Sequence, residues 1–241
     1  MFSWRSEVRP GVWVAFTNAA AGNLALHVGD DPEAVRRRRG RLADAAGLGS
    51  SGFRFMNQVH GNTVVLAEND APEEAPTADA LVSTGEPLAV MVADCVPVVL
   101  VGDRAHGAGP VLAVVHAGRP GLAAGVVPAA AARMRALGAT GLSAWIGPSI
   151  CGRCYEVPEG MRADVAAIVP DAWCTTAQGT PGLDLPAGVR SQLSDEGVTV
   201  EYSGGCTRED EDLYSYRRNQ HTGRFAGLAW TTAPAAAAVA G

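Results

Sequence analysis

Three residues whose types suit metal or nucleophile chemistry, His60, Cys95 and His116, sit where short apolar runs break. The stretch from Leu88 to Gly125 holds two of them. There LAVMVA breaks at Asp94-Cys95 and resumes as VPVVLV, and VLAVV ends in His116-Ala117-Gly118. His60 lies upstream in the kink Asn57-Gln58-Val59-His60-Gly61, where Gly61 permits a turn or a close approach. Each residue alone has an ordinary reading. A Cys between apolar runs is usually a buried small hydrophobe, and a His at a strand end is usually solvated. Three of them at the ends of predicted strands read as a constellation. A His-Cys-His set offers borderline-soft ligands and leaves a fourth tetrahedral position open, which suits zinc and lowers the pKa of bound water. The same atoms also fit a metal-free enzyme. Cys95 would then be a thiolate nucleophile, with His116 or His60 as its base and Asp94 or another carboxylate as orienter.

Other chemistry-bearing residues are less ordered in sequence. Cys151-x-x-Cys154 is followed by Tyr-Glu-Val-Pro, which delays the helix that a redox pair of this spacing would open. Cys174 and Cys206 form no second pair, so Cys151, Cys154, Cys174 and Cys206 are expected to be reduced thiols without zinc. Five histidines with no His-x-His pair cannot furnish a multicopper cluster. From Thr207 to Arg224 run Arg208, Tyr214, Tyr216, Arg217, Arg218 and Arg224, a group able to grip an anion or to form a polar loop among acids.

The elements that must position these groups read as one α/β domain over 1–233, with a frayed Ala-rich tail at 234–241. Short β-branched runs predict strands buried on both faces, and His116 would stand at a strand-to-helix turn into GRPGLAAG. VWVAFT, ALVS, LSAWI, VTVEYS and FAGLAWTT predict further strands, and Phe53 to Glu68 predicts two strands around the kink. Asp31-Pro32-Glu33 starts a helix running to about Gly47. Its arginines 36 to 39 point all round it, which predicts a solvated helix rather than a phosphate stripe. GVVPAAAARMRAL, VPEGMRADVAAIV and LDLPAGVRSQLSDEG predict three more helices.

Composition narrows the function. With 47% hydrophobic and 18% charged residues, the chain can build a proper core. A net charge of −6 argues against a general nucleic-acid binder. No apolar run spans a membrane, and MFSWRSEVRP does not resemble a signal peptide. With an odd number of cysteines, five, the expectation is a cytoplasmic protein with reduced thiols.

NQVHG, DALVS, ADCVPVVL, VVHAG, IGPSI with CYEV, Cys206-Thr207 with LYSYRR, and TGRFAGLAW occur in this order. From about GNLALHVGDDPEAV to the last strand, the chain thereby resembles the YfiH/YlmD-like, laccase-domain family. That family is also called multicopper polyphenol oxidoreductase, and mammalian FAMIN is a member. The resemblance implies a layered α/β/β/α (α+β) domain with mixed sheets, related to cysteine hydrolase-like deamidating toxins. It implies zinc on His60, Cys95 and His116, with copper able to occupy the same site. It also implies phosphorolysis of adenosine, inosine, guanosine and methylthioadenosine, with adenosine deamination, so the partners would be purine nucleosides and phosphate. The family's HAGWRG stands here as His116-Ala117-Gly118-Arg119-Pro120-Gly121, which puts Arg119 at the Trp and Pro120 at the Arg.

The reading carried forward has His60, Cys95, His116 and Asp94 as catalytic residues, with Asp94 taken as proton carrier from adjacency. Arg119, Arg217 and Arg218 would bind substrate. A metal-free Cys-His hydrolase, a copper-dependent polyphenol oxidase and a non-catalytic partner protein are the alternatives.

Overall fold

Strands β6 (Val96–Asp103) and β7 (Val111–Ala117) pair antiparallel, with Val99 opposite Val114. Successive side chains of a strand point to opposite faces, so each run feeds two cores. Val98, Leu100, Ala113 and Val115 enter one cluster, while Val99, Val101, Leu112 and Val114 enter another. This alternation of apolar with apolar is why both runs look hydrophobic throughout. The cause is coverage on both sides, and the strands themselves run antiparallel.

The computed structural model describes residues 1–68, 74–105 and 108–232. A six-stranded sheet takes the order β11-β8-β6-β7-β4-β3, adding β3 (Val64–Leu66), β4 (Ala80–Ser83), β8 (Thr140–Ile146) and β11 (Thr199–Ser203). Its outer pairs, β11 with β8 and β3 with β4, are parallel, and the rest are antiparallel, which makes the sheet mixed. A four-stranded antiparallel sheet takes the order β1-β2-β12-β5, from β1 (Phe2–Arg9), β2 (Val12–Thr17), β5 (Leu88–Val92) and β12 (Phe225–Thr231). Between the sheets, Val14, Phe16 and Val90 meet Val99, Leu112 and Trp145.

Helices close the two outer faces. Helix α1 (Pro32–Ala46) places Leu42 and Ala46 with Leu228 and Trp230 on the four-stranded sheet. Helices α2 (Arg119–Ala123), α3 (Val126–Ala136), α4 (Glu159–Ala166) and α5 (Leu185–Asp195) cover the six-stranded one. The layers are therefore α/β/β/α, as the resemblance implied. The chain passes from one sheet to the other between β5 and β6, and Asp94 makes the corner with φ 91°. No helix among the described residues is long and apolar enough to cross a membrane.

Helix α1 begins as its sequence dictates. The Asp31 carboxylate accepts from the Glu33 and Ala34 amides, and Gly47 ends the helix at φ 77°. Its arginines are less solvated than expected. Arg39 stacks on the Phe55 ring at 3.6 Å and donates to the Leu24 carbonyl, and burial brings its pKa down to about 10. Arg38 donates to Asp30 at 2.5 Å.

One local expectation is corrected. Of Phe53 to Glu68, only Val64–Leu66 is a strand; the earlier part makes isolated bridges at Arg54 and Asn57. There the Gln58 side chain binds both backbone groups of Met91, donating to its carbonyl and accepting from its amide. Strand β1 and the short hairpin of β9 (Trp173–Thr175) with β10 (Pro181–Leu183) had no expectation. The boundary at 233 and the frayed tail at 234–241 lie outside the described residues.

Candidate metal centre

One buried carboxylate organises two of the three predicted residues. Asp79, fully buried just before β4, accepts from the His60 amide at 2.9 Å and the Gly61 amide at 2.6 Å. It also binds Nδ1 of His116 at 2.8 Å. These bonds hold the His60 loop, whose backbone has φ 62°, against β7. Burial alone would raise the Asp79 carboxyl, but hydrogen bonds from His116 and the loop amides outweigh it and lower its pKa. His116 lies inside β7, opposite Pro97, rather than at the strand's end. The expectation of a turn was off by a residue because Ala117 still pairs, with Val96.

Cys95 follows the Asp94 corner and precedes β6, which brings its sulfur to 3.8 Å from Nε2 of His60. The His60 and His116 rings meet edge to face with centroids 4.7 Å apart. One ligand atom from each of His60, Cys95 and His116 lies within 4.8 Å of the others. Gly118 makes room for this approach, since a Cβ there would stand 2.6 Å from the His60 ring. Desolvation opposes ionisation of Cys95, yet the charge and hydrogen bond of His116, then His60, bring its thiol down to about 6. Burial likewise opposes a charged His116, yet Cys95 and Asp79 raise its pKa to about 9. Without a metal, thiolate and imidazolium therefore stabilise one another at neutral pH.

The donor set fits a tetrahedral ion such as zinc. Bonds of about 2.0–2.3 Å to nitrogen and sulfur need ligand atoms roughly 3.5 Å apart, close to the spacing present. Asp79 on the far nitrogen of His116 is the outer-sphere carboxylate that fixes a ligand's tautomer and orientation. Sequence reasoning missed Asp79. Its one trace was a lone acid at the head of the apolar run DALVS.

These groups open into a cavity of about 390 Å³ whose lining includes Arg119, Tyr155, Tyr216, Arg217 and Arg224. The Arg119 side chain makes no hydrogen bond or ion pair among the described residues, though its charge acts on the Tyr155 phenol. Arg217 donates to the Glu156 carbonyl and lies over the Tyr155 ring at 4.7 Å. Arg224 donates to the Thr222 and Gly223 carbonyls. Arg218 does not line the cavity. Its guanidinium donates to the carbonyls of Thr207, Arg208, Asp210 and Leu213, a clasp on the loop backbone. Asp94 lines the cavity, but Thr207 Oγ1 donates to one oxygen at 2.6 Å and the Arg217 amide to the other at 2.7 Å. Away from the cavity floor, Cys206 comes against the Cys151-x-x-Cys154 turn, a juxtaposition the sequence reading did not foresee.

A family described as multi-copper polyphenol oxidoreductase laccase matches residues 9–232. The chain belongs to that family. Among relatives of this laccase-like member, a purine nucleoside phosphorylase of Streptomyces coelicolor is 50% identical, covering 86% of this chain and 87% of its own. Purine nucleoside phosphorylase ORF3 of Streptomyces griseus is 47% identical, covering 90% of this chain and 91% of its own. The crystal structure of Neisseria meningitidis protein NMB0706 superposes with a TM-score of 0.82 at 33% identity, covering 96% of this chain and 99% of that one. YlmD from Geobacillus stearothermophilus gives 0.79 at 27% identity, covering 95% and 98%.

Proposed function

We propose that this chain is a zinc-dependent purine nucleoside phosphorylase that also deaminates adenosine. The observation that carries the reading is the meeting, in one cavity, of the His60-Cys95-His116 floor with three arginines. A volume of about 390 Å³ suits a nucleoside and an anion, and the relatives' name supplies the substrate class. Zinc on His60, Cys95 and His116 would supply a Lewis acid at the cavity floor.

The chain's own residues divide the remaining work. Arg119, Arg217 and Arg224 neutralise phosphate and hold it against the ribose. A phosphate oxygen attacks C1′ as the C1′–N9 bond breaks and its electron pair moves into the purine, which takes up a proton. Tyr155 and Tyr216 offer ring faces to the base. Burial and the Cys95 charge raise the Tyr155 pKa, so its phenol stays protonated and able to donate a hydrogen bond. Asp94 serves as a positioning residue, tying Thr207 and the Arg217 backbone to the Cys95 corner. Deamination uses the same cavity without phosphate.

A second reading rests on Cys95, His116 and Asp79, which stand as nucleophile, base and orienter. It gives no role to His60 beside the same sulfur, whereas a metal site uses all three. Incubating the zinc-loaded protein with inosine or adenosine, with and without phosphate, tests the choice. Free base and ribose 1-phosphate should form only with phosphate and should stop on chelation. Activity that survives chelation and needs no phosphate would favour the triad and overturn the phosphorylase reading.

A further inference from the structure

The fold brings two turns together on the far side of Asp94. Cys151 to Cys154 makes one turn, in which the Cys154 and Tyr155 amides both donate to the Cys151 carbonyl at 3.0 Å. Cys206 to Glu209 makes the other, in which the Asp210 amide donates to the Cys206 carbonyl at 3.1 Å. A bridge between Ser149 and Cys206 sets the turns side by side. The Cys151 amide points at the Cys206 sulfur at 3.4 Å, and the Cys154 thiol meets a Glu209 carboxylate oxygen at 3.4 Å. Three sulfurs and one carboxylate oxygen lie within 4.8 Å of one another. Cys174 is not in this group, although its sulfur lies near Gly152.

We infer that Cys151, Cys154, Cys206 and Glu209 form a second metal site, closed and structural, that takes a zinc ion. Two turns that each present ligands at i and i+3 supply four ligand atoms, three half-buried sulfurs and the exposed Glu209 carboxylate, the number a structural zinc takes. Zinc–sulfur bonds of about 2.3 Å place sulfurs about 3.8 Å apart, so a small contraction of the cluster seats the ion. Thiolate ligands select zinc or other soft ions over magnesium or calcium. A Cys151–Cys154 disulfide would leave Cys206 and Glu209 gathered for no purpose. This inference reverses the expectation that these cysteines hold no zinc.

The site has a consequence for the cavity. Ile150 and Tyr155, which line it, flank the first turn, while Thr207, bonded to Asp94, lies within the second. A metal here would fasten the two loops that carry the cavity wall.

Zinc content separates this site from the catalytic one. The wild-type protein should carry two zinc ions per chain. The His60→Ala, Cys95→Ala variant should keep one, and adding Cys154→Ser and Cys206→Ser should remove it. Cobalt in the His60→Ala, Cys95→Ala variant should show tetrahedral visible bands with the near-ultraviolet absorption of three thiolates. A wild-type protein with one zinc that this variant retains would support the second site and sink the first. Should the variants fail to fold, titration of metal-free wild-type protein with Co²⁺ decides, with saturation at two ions per chain expected. Saturation at one ion with Cys154 and Cys206 still open to alkylation, or a disulfide among these cysteines by mass spectrometry, would overturn the inference.

Discussion

Arg119, which the resemblance sets at the position of a Trp, lines the cavity, and its side chain makes no hydrogen bond or ion pair among the described residues. If it holds phosphate, Arg119→Ala should raise the phosphate KM at least tenfold, about 1.4 kcal/mol of lost binding. The deamination rate should not change, since no phosphate takes part. An unchanged phosphate KM would pass the role to Arg217 and Arg224. Cys95 offers a second measurement at this scale. In metal-free protein at pH 7 its thiol, brought down to about 6, is mostly ionised, while burial holds Cys151, Cys154 and Cys174 above the usual thiol range. A limiting amount of iodoacetamide should therefore label Cys95 first, and added zinc should protect it. Peptide mapping that found Cys154 labelled ahead of Cys95 would contradict the charge arrangement drawn for the floor.

Elements place these residues by close approach. Gly118 sits between the end of β7 and the start of α2, with ordinary backbone angles and the His60 ring against its missing side chain. Gly118→Ala should displace that ring and weaken zinc binding by ten- to a hundredfold, as losses at a metal's supporting groups do. Far-ultraviolet circular dichroism should stay as in wild type; a global loss of helix would mean that the glycine serves the fold instead. Strands β4 to β8 were legible as short, mostly apolar runs set off by Gly or polar residues. Strand β1 was not, since its alternating charges read as solvent exposure until an antiparallel partner is known. Arg218 and Arg224 are alike in sequence, and only the tertiary fold puts Arg224 on the cavity wall and leaves Arg218 off it. The three metal-ligand candidates could be read from where their runs break. Asp79, which orients two of them, could not, because its partners are 18 to 37 positions away.

At the scale of the whole molecule, the two largest cores lie on either side of the six-stranded sheet, and a third lies under helix α1. Leu112 is fully buried between the sheets with Val14, Val90 and Val99. Leu112→Ala should lower unfolding free energy by about 2–5 kcal/mol in urea titration, the range for a cavity cut in a packed core. A loss below 1 kcal/mol would indicate that the sheets close over the gap.

Strand β12, almost the last segment described, is also central. It pairs with β2 on one side and with β5 on the other, and β5 has no other strand neighbour in that sheet. On the ribosome, β2 and β5 are made long before the segment that joins them. The N-terminal half must wait with apolar edges unsatisfied until residue 231 has left the exit tunnel, and the cavity's Arg217 and Arg224 emerge in the same interval. Completion of the sheet and completion of the cavity are one event, and a nascent chain stalled upstream of Phe225 can have neither.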